Sequence, residues 1–246
     1  MSTIRLHVGQ PLGPGQSVAL TREQAHYLAN VMRLAAGAEV EIFDGRSGAW
    51  SARLTRIGKR EAEAECLEQV APQRDPPDLW LLFAPIKKAR TDFIVEKATE
   101  LGAARIQPVQ TRFTNSERIR RDRLQAHAVE AAEQCGGTSV PEVAELVPLD
   151  RLLDAWPGDR ALVFCDEALS DDPRWAGQGA VDPCPLPPAP AAILVGPEGG
   201  FAPEERARLR AASFAHPIAL GPRILRADTA AVAALTLWQA ARGDWA

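Results

Sequence analysis

The sequence predicts an α/β protein of two domains, a small β-rich barrel followed by a larger domain built on a mostly parallel sheet. Three observations predict this division. Residues 1–71 contain short alternating stretches separated by turn residues, residues 72–78 are rich in proline, and residues 79–246 alternate apolar strands with helices. Alternation of strand and helix is typical of a parallel sheet whose faces are covered by helices.

The composition is that of an ordinary globular chain. Its 246 residues are 46% hydrophobic and 24% charged, which is enough apolar material for a sizeable core. The N-terminus lacks a secretory signal, and no run of about 18 apolar residues occurs, so we expect a cytoplasmic protein with no membrane span. The four cysteines are scattered and have no histidine cluster beside them, so we expect free thiols and no metal site.

The first domain, residues 1–71, has the pattern of a compact barrel. Thr21 and Gln24 have the spacing of a capping box, which predicts a short helix that continues through Asn30 and Arg33. Asp44-Gly45 predicts a hairpin turn. Alternating residues predict strands at Ser17–Leu20, Glu39–Phe43, Ala49–Leu54 and Ala62–Val70.

Residues 72–78 predict a semi-rigid linker because they hold three prolines and no apolar pattern.

In the second domain, residues 79–246, continuous apolar runs predict buried strands. The strands are Leu79–Ala84, Arg105–Val109, Ala161–Cys165, Ala191–Val195 and His216–Leu220, and the helices are Thr91–Leu101, Arg120–Gln134, Glu204–Ala212 and Asp228–Arg242. Residues 170–190 hold six prolines and predict a long surface loop without chemistry.

Two glycine-bearing loops directly follow two of these strands. Gly196–Phe201 comes after Ala191–Val195, and Gly221–Ala230 comes after His216–Leu220. Ligands of open α/β sheets bind at the carboxyl ends of the strands, and glycine allows the backbone to approach a ligand closely. Neither loop has the glycine spacing of a dinucleotide-binding or P-loop motif. The loops therefore predict a different ligand site, with ordinary tight turns as the alternative.

One segment of the chain is basic although the protein as a whole is acidic. Residues 86–123 contain ten Lys or Arg against five Asp or Glu, in a chain of net charge −4. Such a segment indicates a contact surface for a polyanion such as RNA. A solvated arginine-rich helix face explains the same pattern equally well.

The two loops closely resemble those of the 16S ribosomal RNA (uracil-N3) methyltransferase family, which belongs to the SPOUT class. Further stretches are similar to that family. The motifs that carry the resemblance are Leu194–Phe201, Leu220–Ala230, Lys97–Gly102, Glu130–Gly136, His26–Leu34 and Phe43–Gly45. The sequence departs from the family at Asp228, where glutamate is more frequent, at Ala202, where a serine cap is common, and at Gly137, where arginine is frequent.

The resemblance implies a trefoil-knotted C-terminal domain, a PUA-like N-terminal barrel and a homodimer. It implies S-adenosyl-L-methionine as the cofactor and 16S ribosomal RNA of the small ribosomal subunit as the partner. The loops would hold the cofactor largely through backbone groups. The implied cofactor-binding residues are Leu194, Gly196, Pro197, Gly199, Gly200, Leu220, Gly221, Ile224 and Leu225.

Methylation at uracil N3 requires loss of the N3 proton, and a cation would stabilise the resulting anion. We expect Arg226 to supply this charge, with Arg223 as the second choice. A salt bridge from either arginine to Asp228 or Glu198 is the alternative role. Glu198 is the candidate proton acceptor, although it could equally bind backbone N–H groups of its own loop.

RNA contacts are expected from residues in both domains. Arg5, Arg33 and Arg112 are candidate phosphate contacts, and Asn30 could reach a base or a ribose. Glu130 and Gln134 are expected near the substrate and the subunit interface. Two alternatives stay open: a SPOUT methyltransferase for another RNA position or for ribose 2′-oxygen, and a non-catalytic RNA-binding factor in ribosome assembly.

Overall fold

The computed structural model describes residues 3–115, 118–171 and 186–246. The chain forms two compact units, Met1–Asp75 with Val129–Val140 and Pro76–Ala128 with Pro141–Ala246. Most of the long loop predicted at 170–190 lies outside the described residues. No helix in the described ranges is long and apolar enough to cross a membrane.

The first unit is built on a five-stranded sheet in the order β1-β3-β4-β5-β2. β1 runs parallel to β3, and the other pairs are antiparallel. Strand β1 was not predicted from the sequence, since its three residues are too few to display an alternating pattern. The other four strands were predicted and are confirmed. The strands are β1 Arg5–His7, β2 Ser17–Leu20, β3 Glu39–Phe43, β4 Ala49–Ile57 and β5 Ala62–Ala71.

The predicted capping box is confirmed at the start of α1 (Arg22–His26). The Gln24 N–H donates to Oγ1 of Thr21 at 3.2 Å, and the Thr21 N–H donates to Oε1 of Gln24 at 3.0 Å. The helix then widens into one π-helical turn, Tyr27–Val31. Arg33 follows with φ 54°, a conformation that is uncommon for residues other than glycine. The regular helix predicted through Arg33 therefore ends early.

The core of the first unit collects the inward residues of the sheet and the apolar side of this helical segment. Val18, Ile42 and Leu54 from the strands pack with Ala25 and Leu28, and all five are at most 1% exposed. The alternation that predicted the strands is thus the alternation of buried and exposed side chains.

The second unit contains a parallel sheet in the order β12-β10-β11-β6-β7-β8, with β9 paired to β7. Every residue of β11 is buried, which matches its continuous apolar sequence. The strands are β6 Leu79–Phe83, β7 Arg105–Gln110, β8 Glu142–Val143, β9 Val147–Pro148, β10 Ala161–Cys165, β11 Ala191–Val195 and β12 Ala215–Ile218.

Among the described residues, four helices and one 3₁₀ turn lie between these strands, and a fifth helix follows the last strand. After β12, at the edge of the sheet, the chain returns so that α6 packs on β11, β6 and α2. The N-terminus of α6 is thereby brought close to the carboxyl ends of the central strands. The helices are α2 Lys88–Glu100, α3 Arg121–Cys135, α4 Leu149–Asp154, α5 Pro203–Ala211 and α6 Ala227–Arg242, and the 3₁₀ turn is Glu167–Asp171.

Candidate active site

A cavity of about 320 Å³ opens where β10, β11 and β12 end. Its size lies within the range of small-molecule sites. The segments that line it are the residues after β10, the two glycine-bearing loops and the start of α6. From the predicted cofactor set, the lining residues are Gly196, Pro197, Gly200, Leu220, Gly221, Ile224 and Leu225. The two loops singled out from the sequence therefore meet at one site.

Two members of the predicted set do not line the cavity. Leu194 is fully buried in β11 and packs in the core of the second unit. Gly199 lies against Phe113 instead: a Cβ built on it would be 3.3 Å from the Cβ of Phe113. Both residues therefore lie next to lining residues in the chain, but not on the wall of the cavity.

The first loop, residues 196–201, depends on glycine at two positions. A Cβ at Gly196 would lie 3.0 Å from the ring of Phe201. Gly200 has φ +69°, and a Cβ there would collide with Oε1 of Glu167. The Gly200 N–H donates to the carbonyl of Pro197 at 2.9 Å, which closes the turn. Larger residues at Gly196 or Gly200 would displace the wall of the cavity.

Residues 219–225 run from the end of β12 into the second loop. Within the described part of the chain, none of their N–H or C=O groups makes a backbone–backbone hydrogen bond outside helices and strands. Unpaired backbone groups are strong donors and acceptors. A cofactor held mainly through backbone atoms, as the resemblance implies for S-adenosylmethionine, fits these residues.

Two acidic residues after β10 also line the cavity, and the sequence reasoning missed them. Asp166 is 1% exposed, and its carboxylate accepts hydrogen bonds from Arg206 at 2.9 Å and Arg210 at 2.5 Å. Glu167 forms an ion pair with Arg206. The rule that ligands bind at the carboxyl ends of strands, applied to Ala161–Cys165 as well, would have found them.

Cys165, the last residue of β10, also lines the cavity. Burial raises the pKa of its thiol to about 12, and the charge of Glu167 contributes in the same direction. The thiol is therefore neutral at physiological pH, which makes it a poor nucleophile.

The candidate catalytic residues lie around this cavity. Arg223, Arg226 and Glu198 all line it, and all three are exposed. Asp228, one of the expected salt-bridge partners, is 3% exposed and pairs with Arg90 of α2. Across residues 3–115, 118–171 and 186–246, neither Arg223 nor Arg226 forms an ion pair. Their positive charges are therefore available at the site.

Arg112 lies in a tight turn after β7. Its N–H donates to Oε1 of Glu205 at 2.7 Å, and Oε2 of the same carboxylate accepts the N–H of Ala202 at 2.9 Å. Ala202 is the N-cap of α5 and has no side-chain oxygen for this role, as its sequence indicated. The Arg112 side chain is exposed, in keeping with the predicted RNA contact.

Arg5, predicted as an RNA phosphate contact, bonds groups of the first unit in the structure. Its guanidinium donates to the carbonyls of Ala132 at 3.0 Å and Gly137 at 2.9 Å, and to Oε1 of Glu41 at 2.6 Å. Its side chain is 12% exposed. Arg5 therefore satisfies orphan carbonyls at the C-terminus of α3, where a positive charge is also favourable.

The other RNA candidates of the first unit are accessible. Asn30 and Arg33 are exposed at the end of the helical segment, and Glu130 and Gln134 are exposed one turn apart on α3. Glu133, beside them, is half-buried and accepts the N–H of His7 at 2.8 Å. Burial raises the pKa of the Glu133 carboxyl.

No group of three or more His, Cys, Asp or Glu side chains in the described ranges is arranged to hold a metal ion. The candidate site is thus built from backbone groups, glycines and charged side chains.

Comparison with known proteins agrees with this architecture. An RNA methyltransferase domain model matches residues 73–239, and an RNA methyltransferase PUA domain model matches residues 20–66. A ribosomal RNA small subunit methyltransferase E from Synechocystis is 33% identical over 89% of this chain and 71% of its own length.

Two solved structures have the same fold over nearly the whole chain. A methyltransferase from Legionella pneumophila, in complex with the cofactor SAM, is 29% identical with a TM-score of 0.86, and the match covers 99% of this chain and 100% of that one. A ribosomal RNA small subunit methyltransferase E from Neisseria gonorrhoeae, bound to S-adenosyl methionine, is 30% identical with a TM-score of 0.82 and full coverage of both chains. The predicted fold class is confirmed in its main features, an α/β RNA methyltransferase domain on a parallel sheet preceded by a PUA-like domain. The chain belongs to the RNA methyltransferase family that includes these ribosomal RNA small subunit methyltransferases E.

Proposed function

We propose that this chain transfers the methyl group of S-adenosylmethionine to N3 of a uracil in the 16S RNA of the small ribosomal subunit. The observation that carries the proposal is the cavity between the two glycine-bearing loops, at the carboxyl ends of β11 and β12. Family membership and the names of the relatives support the methyl donor and the RNA substrate.

The proposed cofactor contacts are the lining residues of both loops. Backbone groups of residues 219–225 would bind polar groups of the donor, and the close-packed turn at Gly200 would shape the opposite wall. When bound, S-adenosylmethionine supplies a methyl group already activated by its sulfonium. The task of the protein is then to orient the uracil towards that methyl group and to exclude competing water.

Arg226 is the proposed catalytic cation. It is the N-cap of α6 and lines the cavity, and no carboxylate of the described residues neutralises it. Loss of the N3 proton leaves a negative charge shared by O2 and O4 of the uracil, which a nearby guanidinium would stabilise. Glu198 is the proposed acceptor of the proton, because it is the exposed one among the described carboxylates that line the cavity. Arg223 is the second choice for the cation.

Replacing Arg226 tests its role. Arg226→Met should lower kcat by roughly 100-fold, while the dissociation constant of S-adenosylmethionine stays within about twofold of wild type. Arg226→Lys should recover part of the loss. Arg223→Met is the comparison at the second candidate, and a larger loss of kcat there than in Arg226→Met would assign the cation to Arg223 instead. Wild-type kcat in Arg226→Met would remove Arg226 from the mechanism.

The substrate assignment is tested by mapping the modified nucleotide. A methyl group on N3 blocks the Watson–Crick edge, so reverse transcriptase should stop at one uridine of small-subunit RNA after incubation with the protein and S-adenosylmethionine. RNA incubated without the donor is the control. A ribose 2′-O-methyl group, recognised by resistance of its phosphodiester bond to alkali, would instead support the alternative SPOUT chemistry.

A non-catalytic role in ribosome assembly makes a different prediction for the cavity. Isothermal titration of the whole protein with S-adenosylmethionine should give saturable binding if the enzyme proposal is correct. Absence of binding at millimolar donor would contradict it.

We further propose that the chain acts as a homodimer in the cytoplasm, where ribosomal RNA is available. Leu237 on α6 and Trp245 after it are each 53% exposed, and exposed apolar residues of this kind favour an interface. Light scattering at micromolar protein should give twice the chain mass. A monomer mass would contradict the dimer without affecting the assignment of the cofactor site.

A further inference from the structure

Phe113 is an exposed aromatic residue in contact with the first cofactor loop. It is 44% exposed. A Cβ built on Gly199 would lie 3.3 Å from the Cβ of Phe113, closer than ordinary contact, and 3.7–3.9 Å from two atoms of its ring. Gly199 lies between Glu198 and Gly200, which both line the cavity. An aromatic ring is therefore presented to solvent beside the site.

The turn that carries Phe113 is held in place by hydrogen bonds on both sides of the residue. The Thr111 N–H donates to Oγ1 of Thr114 at 2.9 Å, and the Thr114 N–H donates to the carbonyl of Thr111 at 3.2 Å. The carboxylate of Glu205 joins this turn to the residue that follows the cofactor loop, through Arg112 and Ala202. The position of Phe113 relative to the loop is thus determined by the fold.

The surroundings of Phe113 have the chemistry of a single-stranded RNA contact. Arg112, the preceding residue, is exposed and positively charged. An aromatic face beside an arginine is the usual combination for stacking an unpaired base while binding its phosphate. Burying an exposed phenyl ring against a base also recovers apolar surface that the free protein leaves in water.

We propose that Phe113 stacks on the uracil that receives the methyl group. This inference rests on the proposed function. A uracil must leave its helical stack before N3 can reach a methyl donor, and unstacking costs a few kcal/mol. The ring of Phe113 replaces the lost neighbour and limits rotation of the base beside the loop. Phe113 is in this account a substrate-contacting residue that determines which orientation of the base is productive.

Three variants separate stacking from packing. Phe113→Leu retains apolar volume against Gly199 but lacks a π-face, whereas Phe113→Tyr retains the face. Phe93→Leu is the matched control, because Phe93 is also an exposed phenylalanine (37%) but lies on α2, where it contacts Lys97. The substrates are small ribosomal subunits without this methyl group and the RNA extracted from them.

Phe113→Leu should lower kcat/KM for the better substrate by about tenfold, the typical effect of one lost base–aromatic stack. Phe113→Tyr and Phe93→Leu should remain within twofold of wild type. The affinity for S-adenosylmethionine and the melting temperature should be unchanged in all three variants. Phe113→Leu with wild-type kcat/KM would overturn the stacking role, as would a parallel loss of donor affinity, which indicates packing alone. Wild-type protein that methylates neither substrate would instead refute the proposed function itself.

Discussion

Arg5 and Arg33 both belong to the first unit, yet their guanidinium groups have opposite surroundings. Arg5 donates to three carbonyls of residues 129–140 and to Glu41, whereas Arg33 is exposed after the π-helical turn. The sequence could not separate the two roles, because the partners of Arg5 lie up to 132 residues away. Only folding brings those carbonyls to Arg5.

The two arginines should respond differently to substitution. Arg5→Met should lower the free energy of unfolding by about 3 kcal/mol, because it leaves carbonyls and a carboxylate without their charged partner.

Arg33→Asn should change the free energy of unfolding by less than about 0.5 kcal/mol, since asparagine tolerates positive φ. The same variant should reduce the salt dependence of RNA binding by roughly one phosphate contact. Chemical denaturation and salt-dependent titrations measure both effects, and an unchanged salt dependence would argue against an RNA contact at Arg33.

Glu133 gives the first unit a specific pH dependence. Burial raises the pKa of this carboxyl, with help from the charge of Glu130 and against the N–H of His7 and the charge of Arg5. The folded state therefore keeps the proton to higher pH than the unfolded state. The stabilisation that comes from the neutral carboxyl is fully present below its ordinary pKa of 4.5. It is lost as the pH rises through the raised pKa of the folded state.

Glu133→Gln should remove this dependence. The amide oxygen still accepts the N–H of His7, but the side chain no longer ionises. The difference in melting temperature between Glu133→Gln and wild type should therefore increase from pH 4 to pH 7 in favour of the variant. A difference that is constant or falls over this range would mean that the carboxyl is not destabilised by burial.

At the scale of elements, the cofactor loops depend on how closely β10 and β11 approach each other at their carboxyl ends. Glu167, just after β10, lies against Gly200, two residues past the exposed Glu198 of the loop after β11. Position 200 therefore requires glycine, because its φ is positive and because a side chain there would collide with Glu167.

Gly200→Ala should lower the affinity for S-adenosylmethionine by tenfold or more, because the methyl group must displace either the loop or Glu167. Gly158→Ala is the control within the same unit, since a Cβ there meets nothing within 4 Å. Isothermal titration of both variants measures the effect. Equal affinities in Gly200→Ala and wild type would mean that the cavity is not the donor site.

Elements with a local signal could be predicted, and those that depend on distant partners could not. The strands at Ala191–Val195 and Ala161–Cys165 coincide with the structure because continuous apolar runs require burial on both faces. The two-residue strands β8 and β9 exist only through pairing with β7. The ion pair between Arg90 and Asp228 joins residues 138 positions apart, so no pattern near Asp228 could indicate its partner. The sequence therefore identified the two loops that line the cavity, but not the charged residues that pair near it.

At the scale of the whole molecule, α6 packs across the sheet of the second unit. Gln239 joins this helix by hydrogen bonds to the end of α2. Its side chain is fully buried, donates to the carbonyl of Leu101 at 2.7 Å and accepts the N–H of Asp244 at 3.2 Å. Gly102 leaves room for it, since a Cβ there would lie 2.7 Å from Nε2. One amide thus joins the C-terminal ends of α2 and α6.

Gln239→Leu should lower the free energy of unfolding by about 2–3 kcal/mol, because a side chain of similar size leaves buried backbone groups unpaired. Gln125→Leu is the matched control on α3, where the amide also bonds backbone groups but is only partly buried; its cost should be smaller. Denaturant titration measures both. Equal losses would mean that the junction of α2 and α6 contributes nothing beyond ordinary hydrogen bonding.

Methyl transfer to N3 of a uracil in small-subunit RNA can be observed with S-adenosylmethionine that carries an isotopically labelled methyl group. The protein is incubated with this donor and with unmethylated small subunits or the RNA extracted from them. After digestion of the RNA to nucleosides, the label should elute as 3-methyluridine, and Gly200→Ala should greatly reduce it. Label in another nucleoside, in a ribose methyl group or in no nucleoside would refute the proposed function.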